Sequence, residues 1–407
     1  MSHYLPDCLI LDILCRLPVE SLLRFTCVSK QWCSLISSPD FNSLYTTVNA
    51  TTPLLVLHHF SVKPKKQQHY SVYNDPDSKT ENLTLIKQLK FPFRSSSGKD
   101  FRVVGFCNGL FCLADDLYGD IDPIILWNPA IRRSISLPSR PRPTFHCGPL
   151  RVFLGFGFDH KTCDFKVVRI AYIRGANGVY MVPPEVEVFK LSTGLWKTVN
   201  SKNINGKLDF LYSSIYLNSA IHWVFHCKNE GGKITNSLLV FGLSAETFSE
   251  MSLPQELAHV CFLSLTLCGE RISVISYEES RNHAPSCDTC VVWVMNQYGK
   301  PESWMKEFIV DLRGEITKAI GFVRNGKFLA VEYPGNVLSY DPDSRELKDL
   351  DIHGMYHSFF LRKYVESLVL LDGNGGAMTD FELNYELNGG VIPYLMDTVA
   401  DFFGLRG

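Results

Sequence analysis

The feature that most constrains this chain is a rhythm. From Phe101 onward, short runs of β-branched and aromatic residues return at spacings of roughly ten residues, each bounded by turn residues. FRVVGFCNGLFCLAD turns at Asn108-Gly109, a two-residue hairpin signal with apolar strands on both sides. PIILWNPAIRRSISLP turns at Asn128-Pro129, LGFGFD and FKVVRIAYI flank HKTCD, and SSIYLN and AIHWVFH split at Asn218-Ser219. The runs continue to about Leu371 and predict roughly two dozen strands, with no long amphipathic helix between them. That excludes a parallel α/β fold and leaves a sandwich array or a β-propeller. Six four-stranded blades of about fifty residues, a kelch-like period, fit the count. Trp127, Trp196, Trp223 and Trp304 each lie on a strand beside a turn, a repeated phrase that reads as core packing.

The first 45 residues break the rhythm. Leu9, Ile10, Ile13, Leu14 and Leu17 recur at helical spacing after Asp7, which can cap a helix. Pro18 ends that helix and can open a second, with Val19, Leu22, Leu23 and Phe25 on one side and Glu20 and Arg24 on the other. Ser29 can cap a third, carrying Val28, Trp32, Leu35 and Ile36, which Ser37, Ser38 and Pro39 are expected to stop. Three short helices cannot bury so much apolar surface among themselves. The surface is shared, either with the chain's own β body or with another protein's helices.

Composition removes several function classes. Hydrophobic residues make up 45% and charged residues 20% of 407, so the chain fills a sizeable core. A net charge of -2 provides no footprint for nucleic acid, and the short basic cluster Lys63, Lys65 and Lys66 reads as a solvated loop. There is no secretory pattern at the start and no membrane-length apolar run, so a cytosolic or nuclear location is expected, with the thirteen cysteines reduced. Cys287 and Cys290 form a lone CxxC, short of the four ligands that zinc requires. His222 and His226 are four apart, but AIHWVFH alternates as a strand and would separate them by about 13 Å. Gly231-Gly232-Lys233 lacks the remainder of a phosphate loop, and Gly155-Phe156-Gly157 lies between strands. No catalytic constellation, cofactor site or metal site is expected.

Two motif sets carry a family resemblance. Leu5-Pro6, the ILDIL run, RLPVESLLRF from Arg16 to Phe25, CVSKQW from Cys27 to Trp32 and LISSPDF from Leu35 to Phe41 resemble the plant F-box, with Cys8 displacing the usual acidic residue. CNGLFCL, LWNPAIRR, GFGFDHKTCDFKVVRI, EVEVFKLSTGLWKTV, YLNSAIHWV, WVMNQYGKPESWMKEF and YDPDSRELKDLDIHG resemble the plant F-box-associated domain of type 1, found in immune-regulating and S-locus proteins. The resemblance implies a small all-α head over residues 1–45, a connector with first strands over 46–100, an F-box-associated β domain over 101–371 and a tail over 372–407. It implies a non-catalytic substrate receptor of an SCF-type ubiquitin ligase, acting by proximity. The head would hold a Skp-type adaptor, and through it a cullin core, with Leu5, Pro6, Ile10, Leu14, Leu17, Pro18, Leu22, Leu23, Val28 and Trp32. The target would meet loop tips, the longest being the 278–288 insert and the stretch from Arg174 to Pro184. Expected roles are defence regulation or, alternatively, recognition of pollination ribonucleases or non-degradative scaffolding. In the tail, Ile392, Leu395, Met396, Val399, Phe402 and Phe403 have helical spacing.

Overall fold

The computed structural model describes residues 7–370 apart from 52–53, 62–66, 78–81, 93–100, 116–122, 140–149, 174–179, 209–213, 229–232, 280–286, 312–315 and 357. The basic cluster at 63–66 and the tail's helical spacing lie outside the described residues.

Four helices open the chain: α1 (Asp7–Cys15), α2 (Val19–Phe25), α3 (Lys30–Ile36) and α4 (Pro39–Asn49). The Ser29 hydroxyl accepts the Trp32 N–H at 3.2 Å, so the expected cap is in place. The expected stop at Pro39 is not a stop. Pro39 is the first residue of α4, where the missing amide hydrogen costs nothing, and the Ser38 hydroxyl accepts the Phe41 N–H at 3.2 Å.

Six antiparallel sheets follow. The first holds β1 (Leu54–Ser61), β2 (Gln67–Asn74) and β3 (Leu85–Leu89), so the stretch read as a connector supplies most of a blade. The second holds β4 (Arg102–Cys107), β5 (Leu110–Ala114), β6 (Ile124–Asn128) and β7 (Arg133–Ser136). The third holds β8 (Leu150–Asp159), β9 (Asp164–Ile173), β10 (Glu185–Lys190) and β11 (Leu195–Val199). In the fourth, β12 (Gly206–Leu208) and β13 (Ile215–Leu217) share the inner edge of β14 (Ala220–Lys228), followed by β15 (Ile234–Gly242) and β16 (Thr247–Ser252). The fifth holds β17 (Leu263–Cys268), β18 (Arg271–Glu279), β19 (Cys287–Met295) and β20 (Trp304–Asp311). The sixth holds β21 (Ile316–Phe322), β22 (Phe328–Glu332), β23 (Asn336–Tyr340) and β24 (Leu347–His353). β25 (Phe360–Lys363) then pairs with β1, with Val56 opposite Arg362, and becomes the innermost strand of the first blade. The ring closes by joining its two ends, which makes it a six-bladed β-propeller. The 278–288 insert is shorter than expected, because Glu278 and Glu279 belong to β18 and Cys287 and Asp288 to β19.

Three of the four repeated tryptophans have a shared task. Trp196 Nε1 donates to the Pro138 carbonyl at 3.0 Å, Trp223 Nε1 to Leu154 at 3.3 Å and Trp304 Nε1 to Ser252 at 3.1 Å. Each bond crosses to the preceding blade, so the large rings fill the seam and their polar edge finds a partner there. Inner strands approach closely at β8: a Cβ on Gly155 would lie 2.5 Å from the Trp223 ring. Only hydrogen fits.

The closing blade carries a histidine cluster. His58 and His59 on β1 are buried, and His59 stacks on His69 of β2 at 4.8 Å. Burial, then the charge of its neighbour, lowers His58 to about 3 and His59 to about 4. Both are neutral when folded and ionise near 6.5 when unfolded, so their full contribution to stability is present above pH 6.5 and declines as pH falls toward their folded values. At pH 5.5 each is expected to withdraw about 1.4 kcal/mol relative to pH 7.5. Thermal midpoints at the two pH values, for wild type and for His58→Gln with His59→Gln, measure this. An unchanged pH response in the double variant would refute it.

Candidate functional site

The ring has two unlike rims. On one, the first strand of a blade turns into the second and the third into the fourth, and in the second to sixth blades these turns are tight. Their positive-φ residues are Asn108, Gly109, Arg132, Cys163, Gly194, Asn218, Ser219, Glu246, Gly269, Gly299, Gly326 and Arg345. The opposite rim carries the connections through 115–123, 174–184 and 280–286, which are the longer ones. The tight rim faces the helices.

Its seat for them is the segment from Tyr364 to Leu370, a strap that follows β25. The Leu368 N–H donates to Asn42 Oδ1 of α4 at 2.8 Å. Asn128, fully buried at the end of β6, donates from Nδ2 to the carbonyls of Ser367 and Val369 at 3.0 and 2.9 Å. Arg133 donates to the Leu370 carbonyl at 3.1 Å, and Lys87 pairs with Glu366. Asn108 and Gly109 form the turn beneath Ser367. Two motif asparagines and a glycine that read as hairpin turns are thus also the anchors of the helical head. Leu14, Val19, Leu22, Ile36, Phe41 and Tyr45 join one apolar core with Val104, Leu110 and Leu368.

The head therefore shares its surface with its own body, but only on one face. Leu14 and Leu22, assigned above to the adaptor, are buried at 1% and 0% exposure in that core. The helical repeat identified their apolar stripe without saying which neighbour covers it. Ile10, Leu17, Leu23 and Trp32 are half-buried along the core's edge, and Trp32 meets Phe25 edge-on at 5.3 Å. Pro18 and Val28 are exposed, and Leu5 and Pro6 lie outside the described residues. Two exposed side chains were not singled out for the adaptor: Leu9 and Ile13, 49% and 50% exposed, one turn apart on α1. Val28, after α2, is also exposed at 66%, and on α1 Asp12 and Arg16 pair at 3.0 Å beside Leu9 and Ile13. The separate face of α1 carrying Leu9 and Ile13 was the available signal.

On the far rim, Met181 and Val182 are exposed at the end of the 174–184 connection, whose residues 174–179, like 280–286, lie outside the described set. Tyr333 and Tyr356, 64% and 42% exposed, stand with ring centroids 6.2 Å apart. The chain beneath them is held by the Gly354 N–H donating to the Gly335 carbonyl at 2.9 Å. Exposed tyrosines on a fixed backbone are economical contacts, since they lose little freedom on binding. Single tyrosines in turns gave no sequence signal.

The strand histidines are structural. His222 is buried, lowered to about 4 by burial, with Nε2 2.9 Å from the Tyr298 hydroxyl, and His226 Nδ1 is 2.7 Å from Asn236 Oδ1. Among the described residues no three His, Cys, Asp or Glu side chains are placed to hold a metal ion, and no helix is long and apolar enough to cross a membrane.

A helical head is thus strapped to one rim of a six-bladed ring. Residues 60–370 match the model of the F-box associated beta propeller domain and residues 3–44 that of the F-box domain, so the chain belongs to the F-box proteins with an associated propeller. It is 29% identical to F-box protein At3g07870 of Arabidopsis thaliana over 87% of this chain and 89% of that one. It is also 27% identical to F-box/kelch-repeat protein At3g23880 (83% and 88%) and 26% identical to F-box protein CPR1 (90% and 89%), both from the same plant.

Proposed function

We propose that this chain is the substrate receptor of an SCF-type ubiquitin ligase, acting in the cytosol or nucleus. The observation that carries the reading is the division of the F-box into two faces, one built into the propeller and one apolar and exposed through Leu9, Ile13 and Val28. That outer face receives a Skp-type adaptor and, through it, the cullin core. The far rim, with Tyr333, Tyr356, Met181 and Val182, receives the target. No group of the chain enters the transfer chemistry: the ring holds a target lysine near the charged conjugating enzyme and raises its effective concentration. The resemblance to immune-regulating members favours defence regulation over recognition of pollination ribonucleases.

The test is a pull-down of a Skp-type adaptor with wild type and with Ile13→Asp plus Val28→Asp. Both positions are exposed, so the fold is retained by circular dichroism, while carboxylates forced into an apolar interface are expected to weaken adaptor binding by more than about 100-fold. Tyr333→Ala with Tyr356→Ala is expected to keep adaptor binding and to lose proximity-labelled targets that accumulate on proteasome inhibition. Adaptor binding undiminished in the first variant would overturn the assignment of this face. Targets captured but never turned over would favour a scaffold.

A further inference from the structure

Two methionines of the fifth blade use their sulfur atoms as acceptors and differ in exposure. Met295, at the end of β19, is 1% exposed, and its Sδ accepts the Gly299 N–H at 3.3 Å. Met305, on the outermost strand β20, is 57% exposed, and its Sδ accepts from Asn296 Nδ2 at 3.0 Å, as close as a nitrogen comes to an oxygen acceptor.

The asparagine is fixed at its other end. Its Oδ1 accepts from Arg271 Nη1 at 2.6 Å, and a guanidinium can only donate, so Nδ2 is the atom that faces Met305. Arg271 opens β18, and its guanidinium also reaches Cys268 Sγ at 3.9 Å and Glu307 at 3.7 Å. Cys268, Arg271 and Glu307 line the cavity of about 1000 Å³ that the innermost strands of the six blades enclose. A chain of hydrogen bonds therefore runs from an exposed sulfur through Asn296 to a charged group on the cavity wall.

We propose that Met305 is an oxidation site for hydrogen peroxide, and that its sulfoxide releases Arg271 from Asn296. A sulfur lone pair attacks one peroxide oxygen as the O–O bond breaks, and the leaving hydroxide takes the proton of the transferred oxygen and departs as water. Sulfur loses two electrons and the peroxide gains them. Exposure makes the thioether oxidisable, and the product is a polar side chain in place of an apolar one. The oxidised sulfur is electron-poor and no longer accepts, whichever lone pair has reacted, and the acceptor is now an oxygen one bond farther out. With Nδ2 already at 3.0 Å from the sulfur, that oxygen does not fit between them, so the amide turns to follow it and draws Oδ1 away from Arg271. The inference is independent of the ligase reading.

The full chain is treated with hydrogen peroxide and then with dithiothreitol, which restores sulfenic acids and disulfides and leaves methionine sulfoxide, and is followed by peptide mass mapping and hydrogen exchange. Met305 is expected to gain an oxygen at least about tenfold faster than buried Met295. Exchange in the peptide covering residues 268–272 is expected to quicken about fivefold, the effect of losing one hydrogen bond of average net strength. Methionine sulfoxide reductases acting on both epimers should return it to the starting rate. Asn296→Ala should show the faster exchange from the start, with Met305 still oxidised and no further response, and Met305→Leu should give no response to peroxide in this peptide. Oxidation of Met305 no faster than of Met295, exchange at 268–272 that is the same before and after oxidation, or a response that persists in either variant overturns the proposal.

Discussion

Replacing Lys166 by methionine is expected to cost about 3–5 kcal/mol, the cost of leaving buried carboxylates without their counter-charge. Lys166 is 1% exposed on β9, and its ammonium donates to Asp159 at 2.9 Å, to the Leu243 carbonyl at 2.7 Å and to Glu246 at 3.1 Å. It therefore ties the third blade to the fourth on the rim that seats the helices. Burial alone would raise both acids. For Asp159, hydrogen bonds from Ser244, Thr162 and Lys166 outweigh that and hold it far below the usual carboxylate range. For Glu246, bonds from Lys190 and Lys166 bring it to about 2. Methionine keeps the volume of the stem and removes the charge, so the loss reports the network and not a cavity. In a ring of this size it corresponds to a fall in thermal midpoint of about 4–6 °C. The acids' contribution is complete above their unfolded pKa and fades as pH drops toward the folded values, so the difference between variant and wild type should narrow below about pH 4. A midpoint within a degree of wild type at pH 7 would show that Lys190 and Lys197 suffice to hold Glu246.

The second large effect is expected at Gly109. Its φ is +80° and a Cβ there would stand 2.4 Å from Ser367 Oγ and 2.9 Å from the Ser367 amide nitrogen, so alanine both strains the backbone and pushes the strap away. The left-handed conformation costs about 1–2 kcal/mol and the overpacking about 1–3 kcal/mol more. Gly194 separates the two, because it shares a positive φ of +67° and has nothing within 4 Å of the added atom. Gly194→Ala should lose only the backbone part and keep one thermal transition. Gly109→Ala should release the strap from Asn128, so that limited proteolysis cuts near Ser367 and the helical head melts apart from the ring. Equal behaviour of the two variants would mean that the strap does not depend on this turn.

These two sites show where the sequence was readable. Asn108-Gly109 announced a hairpin, and a hairpin is there, because a turn's chemistry is local. The partner of that turn is Ser367, more than 250 positions later, and no periodicity in either segment points to the other. The same holds for β25, a four-residue strand whose pairing with β1 is set by ring closure. Nothing in the run FKVVRIAYI marks Lys166, since a charge buried by a network looks like one facing water until its acids are in place. The six-blade count was legible because each blade is a chain of local hairpins. The helical stripes were legible as stripes, yet Leu14 and Ile13, adjacent in sequence, face the core and the solvent respectively. Spacing alone could not separate the packed face from the exposed one.

The placement of β25 has a further consequence during synthesis. The helical head precedes the ring along the chain, while the first blade lacks its inner strand until Phe360–Lys363 has been made and the head lacks its seat until the strap follows. A chain stopped by a premature nonsense codon anywhere between the fourth helix and residue 360 would retain the F-box sequence without a closed ring. Such a fragment would leave Leu14, Leu22 and Phe41 without the cover of Val104, Leu110 and Leu368, so late truncations should be lost to aggregation or proteolysis and not persist as folded helical heads.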